Sequence, residues 1–115
     1  MARDARLLGA KVVAVHGETV VEPVEPGTNM ASLRSDHVDG LAHPGLITLE
    51  EARIATEKDI FLEASASKGH SFTNGHVVRM AKAAGSRLIL DSDSHEPGDL
   101  LTPEFAKNVA LGSAV

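Results

Sequence analysis

Four short apolar runs recur at a nearly constant interval, and this spacing limits what the chain can fold into. They are KVVAV (11–15), HVDGLA (37–42), IFLEA (60–64) and RLILD (87–91), starting about 25 residues apart. Each is too short for a buried helix and rich in residues that suit a strand. Parallel strands need a crossover of a dozen or more residues, most often a helix, and the crossover is right-handed. An interval of this length holds one strand, one helix and two loops. The spacing therefore predicts an α/β fold of parallel βα repeats.

The intervening stretches carry helix marks. ARDARLLG (2–9) reads as a short helix with Leu7 and Leu8 turned inward and Gly9 at its end. TNMASLRS (28–35) reads as another. Thr48 and Glu51 have capping-box spacing and open a helix over 49–58. Asn74 is a candidate cap for a helix through Ala84, ended by Gly85. Thr102 and Pro103 open a last one to about Leu111. Thr19–Val24 reads as a second extended piece after the first strand.

At 115 residues the chain suits a single domain, 1–115. Its formal charge of −5 and lack of any basic stretch argue against nucleic-acid binding. No apolar run approaches the ~20 residues that span a bilayer. The opening MARDARLLGA lacks a signal peptide's apolar core, so the expectation is a cytoplasmic protein with no membrane role. There is no cysteine, so any metal must be held by His, Asp and Glu.

In parallel α/β sheets ligands bind beyond the carboxyl ends of the strands. Every predicted strand here runs into potential metal ligands: His16 and Glu18, then His43, then His70 with His76 further on, then Asp93 and His95. His37 precedes its strand and receives no role. His16 with Glu18 could equally be an exposed pair, and His70 lies in a loop where a solvated imidazole would be ordinary. His76 falls on a helix face, behind the site or at the surface. Asp91 and Glu96 read as backbone-capping or supporting residues. Imidazole with carboxylate suits zinc, manganese or iron. The backbone N–H groups at Asn74 could hold an anion. Lys68 and Arg34 could face phosphate oxygens, although a solvated charge is the plainer reading of each.

The stretches VVAVHGETVVEPV, VDGLAHPGLITLEEA, LEASASKGHSFTNGHV and AGSRLILDSDSHEPGDLLTPE together resemble the PHP (polymerase and histidinol phosphatase) metal-dependent phosphoesterases, most of all the histidinol-phosphatase-like group. The resemblance runs from about residue 11 to 111. It implies a distorted (β/α)7 barrel, divalent metal ions and hydrolysis of a small phosphorylated substrate by metal-activated water. It also implies that Glu18 bridges two ions, that His43 and His70 complete one of them, and that Asp93 and His95 ligate a second and a third. His16, Arg34, Lys68, Asn74 and His76 are left as candidates for substrate contact.

The family begins with a strand ending in His-x-His and two further histidines, and this chain has none of that. The resemblance thus implies a partial, truncated barrel. Open edges of an apolar parallel sheet pair with something, so the expected partner is a second copy or a complementing chain. The competing expectation is an inactive metal- or phosphate-binding module that needs a partner to complete its site.

Overall fold

In the computed structural model, which describes all 115 residues, helices and strands alternate along the chain. Helix α1 (Ala2–Leu7) precedes strand β1 (Ala14–His16). Then follow α2 (Thr28–Leu33), β2 (Gly40–Ala42), α3 (Leu49–Glu57), β3 (Phe61–Ser65), α4 (Asn74–Ala84), β4 (Leu88–Asp91) and α5 (Pro103–Gly112). Single 3₁₀ turns, His70–Thr73 and Pro97–Asp99, lie in the loops after β3 and β4. The strands form one all-parallel sheet in the order β1-β2-β3-β4. No helix is long and apolar enough to cross a membrane.

Register explains which side of the sheet is covered. Val15 pairs with Leu41, Leu41 with Leu62, and Leu62 with Leu88, so one row of apolar side chains crosses all four strands. That row packs into a core with Leu33 of α2, Ala52 and Ala55 of α3, and Val77 and Ala81 of α4. Leu33, Leu41, Leu62, Ala52, Ala55 and Ala81 are wholly buried. The alanines let α3 and α4 lie close to the strands, while each buried leucine contributes about 1.5–3 kcal/mol by leaving water. The alternate residues, Ala14, Gly40, Phe61 and Ile89, belong to the opposite face.

The caps fall where the sequence places them on α3 and α5. Thr48 Oγ1 accepts the Glu51 N–H at 3.1 Å and Glu51 Oε1 accepts the Thr48 N–H at 2.9 Å. Thr102 Oγ1 accepts the Phe105 N–H at 3.1 Å, with Pro103 at the first helical position. Gly85 ends α4 in the left-handed conformation.

Four expectations are corrected. Leu7 and Leu8 are 73% and 89% exposed, because six-residue α1 meets the core through Ala2. β1 begins only at Ala14, since Asp39 captures the Val13 N–H at 2.8 Å. Thr19–Val24 forms turns and no strand. Asn74 is the first helical residue of α4 and no cap; its side chain is committed to β3, as described below.

Candidate metal centre

The ends of the strands and the loops leaving them bring three imidazoles and three carboxylates to one rim of the sheet. His16 ends β1, and its Nδ1 lies 2.5 Å from Nε2 of His43, the residue after β2. The His43 and His70 rings stack, with centroids 4.0 Å apart and planes 11° from parallel. Asp93, two residues beyond β4, places Oδ2 3.5 Å from His70 Nε2. His43, His70 and Asp93 each offer a ligand atom, all within 4.8 Å of one another. Both histidines are buried and Asp93 is half-buried.

Glu63 of β3 and Glu22 of the first loop complete the cluster. Glu63 Oε1 accepts the His43 backbone N–H at 3.0 Å and lies 3.4 Å from His43 Nδ1. Glu22 spans the rim: Oε2 is 3.3 Å from His16 Nε2, and Oε1 is 3.7 Å from His70 Nε2. On the far side of its ring, His70 Nδ1 shares a 2.7 Å hydrogen bond with the buried Thr19 hydroxyl. That contact fixes the ring and aims Nε2 at the two carboxylates, the way ligating histidines are usually held.

Proton counting shows what this cluster lacks. The line Glu63–His43–His16–Glu22 has three gaps between acceptor atoms, and two neutral imidazoles bring only two protons. The third gap takes either a further proton or a cation. His43 Nδ1, in a side chain 5% exposed, has no hydrogen-bond partner. Burial, and then the neighbouring His43, hold the His70 pKa below the ordinary imidazole value, while Glu22, Asp93 and Glu63 pull the other way. The net lowering favours the neutral imidazole, the form that binds metals. A divalent cation answers most of this: it offers an imidazole nitrogen a partner and offsets two of the three carboxylate charges. The residues present fit such an ion, and mixed imidazole and carboxylate suits zinc, manganese or iron.

The other residues singled out in the sequence lie elsewhere. Glu18 is turned away: Oε2 accepts the Asn29 N–H at 2.9 Å, and the Glu18 N–H donates to Asn29 Oδ1 at 2.8 Å. Asn29 Nδ2 in turn donates to Pro44 O at 2.9 Å, so Glu18 ties the first loop to α2 and to the turn after β2. His95 is 77% exposed, with Nδ1 on the Asp93 carbonyl at 2.7 Å and 4.0 Å from the Asp93 carboxylate. Asn74 uses its amide inside the fold, accepting the Ser65 N–H and donating to Ser65 O, both at 2.8 Å, and donating to Ser113 Oγ at 3.2 Å. Its side-chain amide has no donor left for an anion. His76 Nε2 contacts Ile47 O at 2.7 Å, behind the site. Arg34 is the exposed residue ending α2, before the start of β2 and so at the wrong end of the sheet. Lys68 is exposed and lines a hollow with Ser92 and Asp99, on the same side as the rim.

Two members of the cluster, Glu22 and Glu63, are not among the residues singled out in the sequence. Glu22 sits among prolines and valines in a stretch that reads as extended. Glu63 had a usable signal: it is the one charged residue inside an otherwise apolar strand, and it is 4% exposed.

No protein-family model and no solved structure matches the chain. It is similar to the uncharacterized protein MJ1295 of Methanocaldococcus jannaschii, with 49% identity over all 115 residues. The chain spans about half the length of that relative, 53%.

Proposed function

We propose that this chain carries a divalent-metal centre on His43, His70 and Asp93, and that it is part of a metal-dependent phosphoesterase of the PHP type. On this reading its four strands are an arc of a (β/α)7 barrel. The observation that carries the metal reading is the buried, unpartnered His43 Nδ1 beside a stacked His70 and the Asp93 carboxylate. When bound, a divalent ion supplies Lewis acidity at a phosphoryl oxygen and lowers the pKa of water. The chain's own residues do the rest. Thr19 fixes the His70 ring, Glu63 fixes the His43 backbone, and Glu22 stands between His16 and His70. Lys68, exposed beside Ser92 and Asp99, is a cation available to the oxygens of a small phosphorylated substrate.

A second reading has its own support. Glu18 points to α2 and His95 to solvent, so one three-residue group is assembled and further ion sites are not. That favours a metal-binding module that gains activity only with a partner. Metal analysis of the purified chain, then hydrolysis of an aryl phosphate with and without manganese, separates the two. Metal with turnover supports the phosphoesterase alone, and metal without turnover supports the module. A chain that takes up neither zinc, manganese nor iron refutes both.

A further inference from the structure

All-parallel sheets occur almost only where both faces are covered. Here α2, α3 and α4 cover one face, and the other is open. Ala14, Gly40, Ala42, Phe61 and Ile89 floor a trough of ≈ 190 Å³. Val12 at its margin is 74% exposed and Ile89 is 44% exposed. Neither edge strand has a second strand beside it, since β1 pairs only with β2 and β4 only with β3, although Ala110 of α5 and Val115 flank β4. The trough runs into the metal rim, because Glu63 also lines it.

The order of the strands says what kind of cover fits. It follows chain order, with the packed helices on a single face, as in an arc of a closed barrel. Closing the ring covers the inner face and removes both edges at once. A lone helix laid in the trough would leave the edges bare. Length supports the same occupant. The 115 residues are 53% of the M. jannaschii relative, so roughly 100 of its residues lie outside the match. At the strand interval of about 25 residues, that is enough for the three further βα units a seven-stranded barrel needs. A second copy fits less well, since it would bring another Glu22, Glu63, Asp93 and a further net charge of −5 to the same rim.

We infer that the open face and both edges of this sheet dock a complementary βα segment, the counterpart of those roughly 100 residues of the relative, closing the barrel and finishing the rim. The completed rim rests on the metal reading above; assembly itself needs no ion. The test is to co-express the 115-residue chain with the affinity-tagged unmatched segment of the relative, purify in EDTA, and measure mass by light scattering. The expected product is a 1:1 complex. Val12→Glu and Ile89→Glu, each checked for native circular dichroism, should weaken it at least tenfold, and Arg53→Glu on the exposed side of α3 should not. Recovery of the segment without the chain overturns the inference. So does a homodimer of the chain that persists beside the segment, or a complex indifferent to both trough variants. A complex that forms but takes up no metal upholds the docking and refutes the metal centre.

Discussion

Replacing Gly45 by alanine should be far more damaging than the same change at Gly85, although both glycines have positive φ, +64° and +76°. An L-residue in the left-handed region costs about 1–2 kcal/mol, partly offset because alanine loses less entropy on folding than glycine. At Gly85 nothing lies within 4 Å of an added Cβ, so only that cost applies. At Gly45 the Cβ would lie 1.9 Å from the Glu18 carbonyl oxygen and 2.8 Å from its carbon. The Glu18 peptide must then move by more than an ångström, against its reciprocal hydrogen bonds with Asn29. Overpacking costs about 1–3 kcal/mol, and loosening those hydrogen bonds about 1 kcal/mol more. The totals are about 3–5 kcal/mol for Gly45→Ala and about 1 kcal/mol or less for Gly85→Ala. At roughly 4 °C per kcal/mol for a domain of this size, Tm falls by about 12–20 °C in one case and under about 5 °C in the other. Thermal unfolding in EDTA reads both without a metal contribution. Because Gly45 lies two residues from His43, Gly45→Ala should also weaken zinc binding, whereas Gly85→Ala should not. Equal losses of Tm would refute the claim that the first and second loops interlock at this point.

Metal affinity should separate Glu18 from the group of His43, His70 and Asp93. Glu18→Gln should leave zinc affinity within about threefold, since its carboxylate faces Asn29, while His70→Ala or Asp93→Asn should lower it by more than about tenfold in competition titration. A large loss with Glu18→Gln would restore the bridging role that the family resemblance implies. Asn74→Ala strands the buried Ser65 N–H and C=O and should cost about 2–5 kcal/mol in urea unfolding. The Val13 N–H and the Arg6 guanidinium hold the Asp39 carboxyl below its ordinary value of 3.8. The folded pKa is the lower one, so this stabilisation is complete above the unfolded value and is lost as pH falls through the folded one. Asp39→Asn should therefore flatten the acid limb of the stability curve and leave its slope near neutrality unchanged.

The alternation of elements was legible because it rests on local chemistry. Apolar runs of strand length, the Thr48–Glu51 box, Thr102 before Pro103 and Gly85 each act within a few residues. What was not legible depends on tertiary contacts. Leu7 and Leu8 look like core residues until the core is seen to end at Ala2. Asn74 looks like a cap until Ser65, nine residues earlier, takes its amide. In the site, His43, His70 and Asp93 lie at strand ends, where βα topology focuses ligands, and position together with the family resemblance brought them forward. Which carboxylate joins them is a matter of loop path. Glu18 is nearer than Glu22 to the end of β1 along the chain, yet Asn29 turns it aside and the following turns carry Glu22 back over the rim.

Three separate costs fall on the same few residues, and this tells against reading the histidines as incidental. His43 and Asp93 both hold positive φ, 30° and 47°, in a chain where only two other non-glycine residues do so. Each such conformation costs about 1 kcal/mol or more and survives only where the surroundings impose it. His43 is also buried with a bare nitrogen, and burying an unpaired polar atom costs about 1–3 kcal/mol. Three carboxylates then crowd these rings in a chain that is already acidic. Glycine at 43 or 93 would relieve the backbone, and an apolar side chain at 43 would relieve the burial. A structural turn gains nothing from declining both changes. A bound cation would draw on all three features, because the strained residues His43 and Asp93 are two of its candidate ligands, a buried His43 nitrogen has no other partner and the carboxylates carry the opposite charge.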